Sequence, residues 1–498
     1  MLFTDSDKTL YQKVINLSIT SVVVLMLMLF CWLMHYSLVM PLFLLFLALH
    51  LKNFKEACIK IFLNLGLLLA IILFVSYAIN QYSTIPLFYI PVASIAMLTM
   101  LLYNDHELSF IMAFASSVLV CLVIGGDFGM LLTFFIGSLT GAYSVRGARL
   151  RGQLIGAGLF VSVMNVICLF LINFDSGLIL TKTFASNKLY PLAANGFIST
   201  FIVAAVLKIF EYLFHVLTNF SLLELSDFNQ PLLKKMILEA PGTYHHSLVV
   251  SNLSEAAADS IGANALLARV GAYYHDIGKM DKPEYYTENQ LIGTNKHDGM
   301  EPSMSRLVIL NHVKEGIELA KKYKLNQLIV DFIPQHHGTG LVYYFYQKAL
   351  EEAENGEVIS EDNFRYPGPK PQTRETAIVL LADSVEGAVR ALDEKNMNRI
   401  GDTVRKIINN KFIDGQLDEC NLTLKEIDQI SLTFVRILGG MYHGRVKYPE
   451  KKNSVQKKSA EKNRIFQRSE SQRSQKDNQN GSSDNIVQNN PKPSKDTE

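Results

Sequence analysis

Charge is so unevenly placed along this chain that no single solvent can surround all of it. Residues 1–220 carry nineteen of the 93 Asp, Glu, Lys and Arg residues, and the remaining residues of the 498 carry the rest. Apolar stretches recur through the first part, near 14–34, 36–51, 61–79, 86–103, 108–125, 128–145, 153–173 and 194–214. Each is close to the roughly 20 residues that a bilayer core demands of a helix. A cleaved leader is one such stretch, not a series of them. The pattern predicts a short N-terminal segment, 1–13, and a multispan membrane domain over 14–214. The second stretch is short, contains Pro41 and comes after the first with almost no loop, so seven spans and eight both fit.

Loop charge gives the orientation, because cytoplasmic loops are enriched in Lys and Arg. Lys52, Lys55 and Lys60 precede the third stretch, and Arg146, Arg149 and Arg151 lie between the sixth and seventh. Alternation puts both groups on the side of the C-terminal half, while the loops at 80–85 and 126–127 carry only Asp127. The C-terminal half is therefore expected in the cytoplasm, with Lys8 and Lys13 beside it if there are eight spans. The 174–193 loop, with Lys182 and Lys188 against Asp175, runs mildly against this reading. No ionisable residue falls at the middle of a stretch, which argues for anchoring and against ion or solute pumping. A formal charge of +1 excludes a strongly basic nucleic-acid binder, so no nucleic-acid polymer is expected as a partner. Five cysteines without paired spacing exclude a disulfide framework or a cysteine zinc site and fit a reducing compartment.

From Glu211 the continuous apolar runs give way to helical periodicity, as in Leu232, Leu233, Met236 and Ile237. No alternating strand pattern competes with it. A connecting helical segment, 215–241, and an all-helical domain, 242–449, are expected. Residues 450–498 are rich in Lys, Ser, Gln and Asn and basic on balance, the composition of a disordered tail that can touch anionic lipid.

Seven of the twelve histidines lie between 245 and 337, in GTYHHSL (242–248), HDIGK (275–279), His297, NHV (311–313) and QHHGT (335–339). Imidazole and carboxylate together suit transition metals, and several helices contributing one or two such residues each can surround a pair of ions. His275-Asp276 stands out, because a carboxylate can bridge two ions and an imidazole cannot. Gly278 is expected to let the backbone turn, and Lys279 comes next as a positive charge suited to a phosphate. A lone His-Asp pair is more often a surface pair than a site. Here it is joined by His246, His312, His336, His337 and the LADS segment at 381–384.

These residues resemble the HD-domain metal-dependent phosphohydrolases, and within them the bacterial seven-transmembrane HD proteins that hydrolyse cyclic di-AMP. The likeness runs from LLELSDFNQPLLKKMILEAPGTYHHSL through RVGAYYHDIGKM, PEYYTENQ, DFIPQHHGTGLVYYFY, FRYPGPKPQTRETAIVLLADSVEGAVRAL and DGQLDECNLTL to YHGRVKYP, densely over 222–449. It departs at the N-terminus, where such proteins place a large extracytoplasmic domain after a first span and this sequence joins 14–34 to 36–51 directly. The resemblance implies an all-α chain, a polytopic membrane bundle followed by an all-helical HD domain, that anchors a phosphodiesterase to the bacterial cytoplasmic membrane. It implies one metal on His246, His275, Asp276 and Asp383, and a second on the bridging Asp276 with His312, His336 and His337. Two divalent ions, Mn or Fe, suit phosphodiester hydrolysis, since together they activate a nucleophile and neutralise phosphoryl charge. Asp276 and Lys279 are then catalytic, with Lys279 on a phosphate oxygen.

Outside those motifs the residues leave alternatives open. Arg365, Lys370 and Arg374 surround the Pro-Gly-rich segment FRYPGPKPQTR, where they either grip a second phosphate or adenine or simply line a solvated loop. His297 is either a substrate contact or a surface residue, and His245 points away from His246. Of the consecutive aromatics Tyr343 to Tyr346, most are expected in the core. A cyclic dinucleotide is the expected substrate, with guanosine tetraphosphate or a mononucleotide as the alternative and a non-catalytic membrane receptor as the less favoured one. The lipid bilayer is the other expected partner, and a homodimer is compatible with all of this.

Overall fold

The computed structural model describes residues 57–172, 188–290, 295–353, 358–442 and 462–468. The expected stretches 14–34 and 36–51, most of the 174–193 loop, His443 and most of the tail lie outside the described residues. The described part is helical, with one isolated antiparallel bridge, Leu341 to Arg365.

Among the described residues the membrane half has six apolar helices: α1 (Ala57–Tyr82), α2 (Ala93–Tyr103), α3 (His106–Ile124), α4 (Phe128–Ser144), α5 (Arg151–Ile172) and α6 (Leu189–Phe214). Of these α1, α3, α5 and α6 are long and apolar enough to cross a membrane. Their ends are set by short-range chemistry. Asp105 and Asp127 accept from the amides of Leu108 and Met130 at 3.0 and 2.7 Å, capping α3 and α4. Gly125 ends α3 in the left-handed conformation at φ 66°. The short α2 is buried along nearly its whole length, whereas α5 and α6 turn Phe160, Leu171, Phe201 and Tyr212 outward, an apolar exterior that suits lipid.

Small residues close the seam between α5 and α6. A Cβ on Gly196 would overlap the Gly158 carbonyl oxygen, so the two backbones meet directly. Pro91 interrupts the chain before α2, and Asn195 answers the freed carbonyls by donating to Phe88 and Ile90, each at 2.8 Å. Asn165 donates in turn to Asn195 at 3.3 Å.

The second half starts with α7 (Asn219–Leu225), α8 (Pro231–Glu239), α9 (Pro241–Ser260), α10 (Ala265–Tyr274) and α11 (Pro302–Lys322). It continues through α12 (Gln327–Val330), α13 (Phe332–Gln335), α14 (Tyr343–Glu352), α15 (Arg374–Arg390), α16 (Met397–Ile413) and α17 (Leu424–Tyr442). Pro at the first helical position starts α8, α9 and α11, and Asn264 caps α10 by accepting from Leu267 at 3.0 Å. The core is built on Met236, Val270, Tyr274, Ile277 and Ile333, all buried.

The two halves join through a buried carboxylate. Glu211, near the end of α6, accepts from Ser221 at 2.6 Å and from Thr218, and Lys208 pairs with Glu224 at 2.6 Å. Tyr274 donates to the Leu225 carbonyl at 2.8 Å, tying α7 to α10. A cavity of about 150 Å³ beside this junction is lined by Tyr103, Asn104, Val145, Gly147, Thr218 and Asn264. The loop carrying Arg146 and Arg149 therefore lies on the side of the second half.

The described residues up to Met441 form one compact unit, and the expected boundary at 449 lies outside the described residues. Within the tail, residues 462–468 are helical and exposed, where the composition predicts no structure. A helix of this length is too short to be stable alone in water.

Candidate metal centre

Five segments converge on one point. His246 comes from α9, His275 stands at the C-terminal cap of α10, and Asp276 begins the tight turn Ile277–Asp281. His312 lies on α11, His336 and His337 come directly after α13, and Asp383 lies on α15. Their ligand atoms form two sets of four, each within 4.8 Å: His246, His275, Asp276 and Asp383, and Asp276, His312, His336 and His337. Asp276 belongs to both.

Gly278 allows this meeting, though not by turning. It has no left-handed φ, and a Cβ there would overlap the carbonyl oxygen of His312 itself. The turn after Asp276 thus packs directly on α11, which brings His312 to the carboxylate.

Backbone carbonyls fix three ring tautomers. His275 Nδ1 donates to Ala272 at 2.7 Å, His312 Nδ1 to Ile309 at 2.6 Å and His336 Nδ1 to Ile333 at 2.7 Å. Each neutral ring then turns an Nε2 lone pair inward. These three Nε2 atoms and Asp276 Oδ1 are buried and have no hydrogen-bond partner, while Asp276 Oδ2 has the Lys279 ammonium 2.7 Å away. Nε2 lies 3.2 Å from Asp276 Oδ2 in His275, and 3.5 Å from Oδ1 in both His312 and His336. Lone pairs and carboxylate oxygens facing one another in a dry site repel unless a cation lies among them. The donor set fits a divalent transition metal by this test.

The charges of His312, His337 and Asp276 agree with that reading. Burial holds the His312 ring down at about 4, and burial with the neighbouring His336 and His312 holds His337 well below the usual histidine range. Burial opposes the charged form of Asp276, yet Lys279 and His275 outweigh it and keep the carboxyl well below its usual range. At His246 burial is again outweighed, here by Asp383 at 3.0 Å and Glu386 at 2.7 Å, which raise it to about 10.

Four residues of the site carry no signal of their own in the sequence. Glu386 sits one turn after Asp383 and holds His246 Nδ1; a carboxylate at this spacing behind a ligand is the one legible clue. Glu288 is buried and binds Lys279 Nζ at 2.8 Å. Tyr286 offers its ring face to the same ammonium at 5.2 Å. Tyr366 stacks on His337 with ring centres 4.1 Å apart.

The remaining expected residues fall elsewhere. Lys279 joins the cluster, with Nζ 2.7 Å from Asp276 Oδ2. Arg365 is taken up by Asp414 at 2.8 Å and Glu361 at 2.6 Å, and Lys370 faces Asp418 at 3.4 Å, so neither is brought to the ligand cluster by any contact among the described residues. Arg374 pairs with Glu426 at 3.1 Å. His297 is buried and not a surface residue; its Nε2 donates to the Tyr285 carbonyl at 3.0 Å and its ring packs on Phe345. His245 is exposed, as its neighbour's inward direction requires. Of the aromatic run, Phe345 is buried and Tyr346 half-buried, but Tyr343 and Tyr344 are exposed, because only one face of α14 meets the core.

Comparison with known proteins places these features in a family. A model described as a 7TM receptor with intracellular HD hydrolase matches residues 16–218, and the HD domain model matches 243–388. The cyclic-di-AMP phosphodiesterase PgpH of Bacillus subtilis strain 168 is 39% identical over 410 residues, 81% of this chain and 57% of that protein. PgpH of Listeria monocytogenes 10403S is 41% identical over 369 residues, 74% of this chain and 51% of that protein. The chain therefore spans about half the length of these curated relatives. A crystal structure of the L. monocytogenes PgpH HD domain in complex with cyclic di-AMP is 51% identical, covering 44% of this chain and all of that one, with a TM-score of 0.41. With the apolar helices ahead and the His-Asp cluster behind, the chain belongs to the family of membrane proteins that carry an intracellular HD hydrolase domain.

Proposed function

We propose that this chain is a membrane-anchored, metal-dependent phosphodiesterase that opens a cyclic dinucleotide, cyclic di-AMP to linear pApA before any other. The observation that carries the reading is the shared carboxylate: Asp276 belongs to both sets of ligand atoms, and the His275, His312 and His336 lone pairs that face it have no hydrogen-bond partner. His246, His275, Asp276 and Asp383 would hold one divalent ion, and Asp276, His312, His336 and His337 a second, with Mn or Fe as the metals. Such ions supply nucleophile activation and neutralise charge on the phosphoryl group. The chain's own part is to hold rings and charges in place. The carbonyls of Ala272, Ile309 and Ile333 keep three imidazoles neutral, and Glu386 does the orienting for His246. Glu288 keeps Lys279 beside Asp276, where its ammonium can meet the charge that develops on a phosphate oxygen.

The PgpH relatives favour cyclic di-AMP as substrate. Hydrolysis of guanosine tetraphosphate or a mononucleotide is the competing outcome, since the same ligand set serves other phosphate esters. The position of the Arg146 and Arg149 loop beside the second half supports a cytoplasmic HD domain in a bacterial inner membrane. The test is turnover of a nucleotide panel by the full chain in detergent, with metal content measured on the same sample. Conversion of cyclic di-AMP to pApA well ahead of the others is expected. Preference for guanosine tetraphosphate or a mononucleotide would replace the substrate reading.

A further inference from the structure

The loop after the double histidine, Gly338-Thr339-Gly340, is fastened from one side by the end of α16 and the residues just past it. Gln416 accepts from the Thr339 amide at 2.9 Å and donates to the Thr339 hydroxyl at 3.0 Å and to Asp414 at 2.9 Å. Arg365 donates to the Thr339 carbonyl at 2.9 Å. Lys411, on the last turn of α16, reaches this same loop: its Nζ stands 3.3 Å from the position a Cβ would take on Gly340.

Four cations surround this part of the domain, and three are already satisfied. Lys279 has Asp276 and Glu288, Arg365 has Asp414 and Glu361, and Lys370 has Asp418. Lys411 has no hydrogen bond or ion pair among the described residues. The nearest candidate in sequence, Asp414, is occupied by Arg365 and Gln416. The groups whose charge reaches Lys411 are Asp383 and Asp414, which favour its ammonium, and Arg365, which opposes it. Asp383 is a ligand of the proposed metal pair, so this half-buried lysine stands beside the catalytic cluster with its charge unanswered. Burial pulls it below the usual lysine range, as expected of an ammonium without an acceptor. An ammonium kept in such a place has lost water without a hydrogen bond to replace it, and an arriving anion would supply one.

A cyclic dinucleotide brings two phosphodiesters. The one being cleaved belongs at Asp276, where Lys279 waits. We propose that Lys411 binds the other one, the phosphodiester that stays intact, and so selects a two-phosphate ring over a simple diester. Gly340 leaves the ammonium its room: a side chain there would crowd both Nζ and the His337 carbonyl. This rests on the cyclic-dinucleotide reading above.

The experiment compares wild type, Lys411→Ala and Lys411→Arg, each as full chain in detergent. Two substrates are used, cyclic di-AMP and bis(p-nitrophenyl) phosphate, a diester with one phosphate. Metal content and equilibrium binding of cyclic di-AMP to the metal-free protein are measured alongside. A charge-assisted contact to phosphate is worth about tenfold or more in affinity. Lys411→Ala is expected to raise KM and Kd for cyclic di-AMP by about tenfold more than any rise in KM for the one-phosphate ester, at unchanged metal content, and Lys411→Arg to recover most of this. Equal losses on both substrates, loss of metal, or no loss on either would overturn the assignment. If wild type cleaves the one-phosphate ester but not cyclic di-AMP, the substrate reading itself has failed and the Lys411 inference falls with it.

Discussion

Both halves of the molecule bury polar atoms that have no hydrogen-bond partner, and they do so in different ways. In the membrane half these are Ser138, Ser162 and Ser199 hydroxyls and the Asn165 carbonyl, spread along the seams of α4, α5 and α6. They accompany Gly137, Gly158 and Gly196, where backbones come close, and are the small polar residues that membrane helices use for packing. In the HD half Ser247, Ser254, Ser305, His297 Nδ1 and Arg306 Nε are scattered in the same way, but the Nε2 lone pairs of His275, His312 and His336 and an oxygen of Asp276 are aimed at one point. A missing partner is therefore ordinary in a tight seam. Convergence of lone pairs from distant parts of the sequence is what marks a site.

Mutations on the two sides should separate cleanly. The largest effect is expected from Asp276→Ala or His275→Ala: hydrolysis is abolished and bound metal falls with it, measured by activity and elemental analysis on one sample. Activity within a few-fold of wild type, with metal still bound, would break the two-metal assignment. Lys279→Ala should lose roughly 10²-fold in kcat while keeping its metal, as for removal of a group that meets transition-state charge. If its metal content drops as far as that of the His275 variant, Lys279 holds Asp276 in place and does not act on phosphate. Glu386→Ala should weaken metal affinity about ten- to hundredfold, because His246 loses the partner that orients it, read by metal titration of the chelated protein. The smallest effect is expected in the membrane half. Asn195→Ala removes two hydrogen bonds to the Phe88 and Ile90 carbonyls and should cost about 0.6 kcal/mol per bond in detergent unfolding, with metal content untouched. A loss of metal in that variant would show that the seams and the cluster are one system.

The helices are legible in the sequence because their cues are local: an apolar stretch near bilayer length, Asp105 and Asp127 as caps, and Pro241 and Pro302 at helix starts. The His-Asp cluster is legible because histidine beside aspartate is rare and its motif long. What the sequence hides is which charge is already spent. Arg365 and Lys370 look like free cations in a Pro-Gly loop, yet their carboxylates, Asp414 and Asp418, lie almost fifty residues away, too far for any periodicity to reveal. Lys411 looks like one more helix-terminal lysine, and only the engagement of Asp414 elsewhere leaves it unpaired. Gly278 looks like a turn residue for the same reason: the His312 carbonyl that demands it belongs to a helix that starts more than twenty residues later.

The central claim is that one carboxylate, Asp276, serves two ions at once. Metal stoichiometry of the full chain, titrated with Mn to saturation and compared with Asp276→Ala, tests it most directly. Two ions per chain in the wild type and close to none in the variant is the predicted result. One ion per wild-type chain, or two retained after loss of the carboxylate, would contradict it.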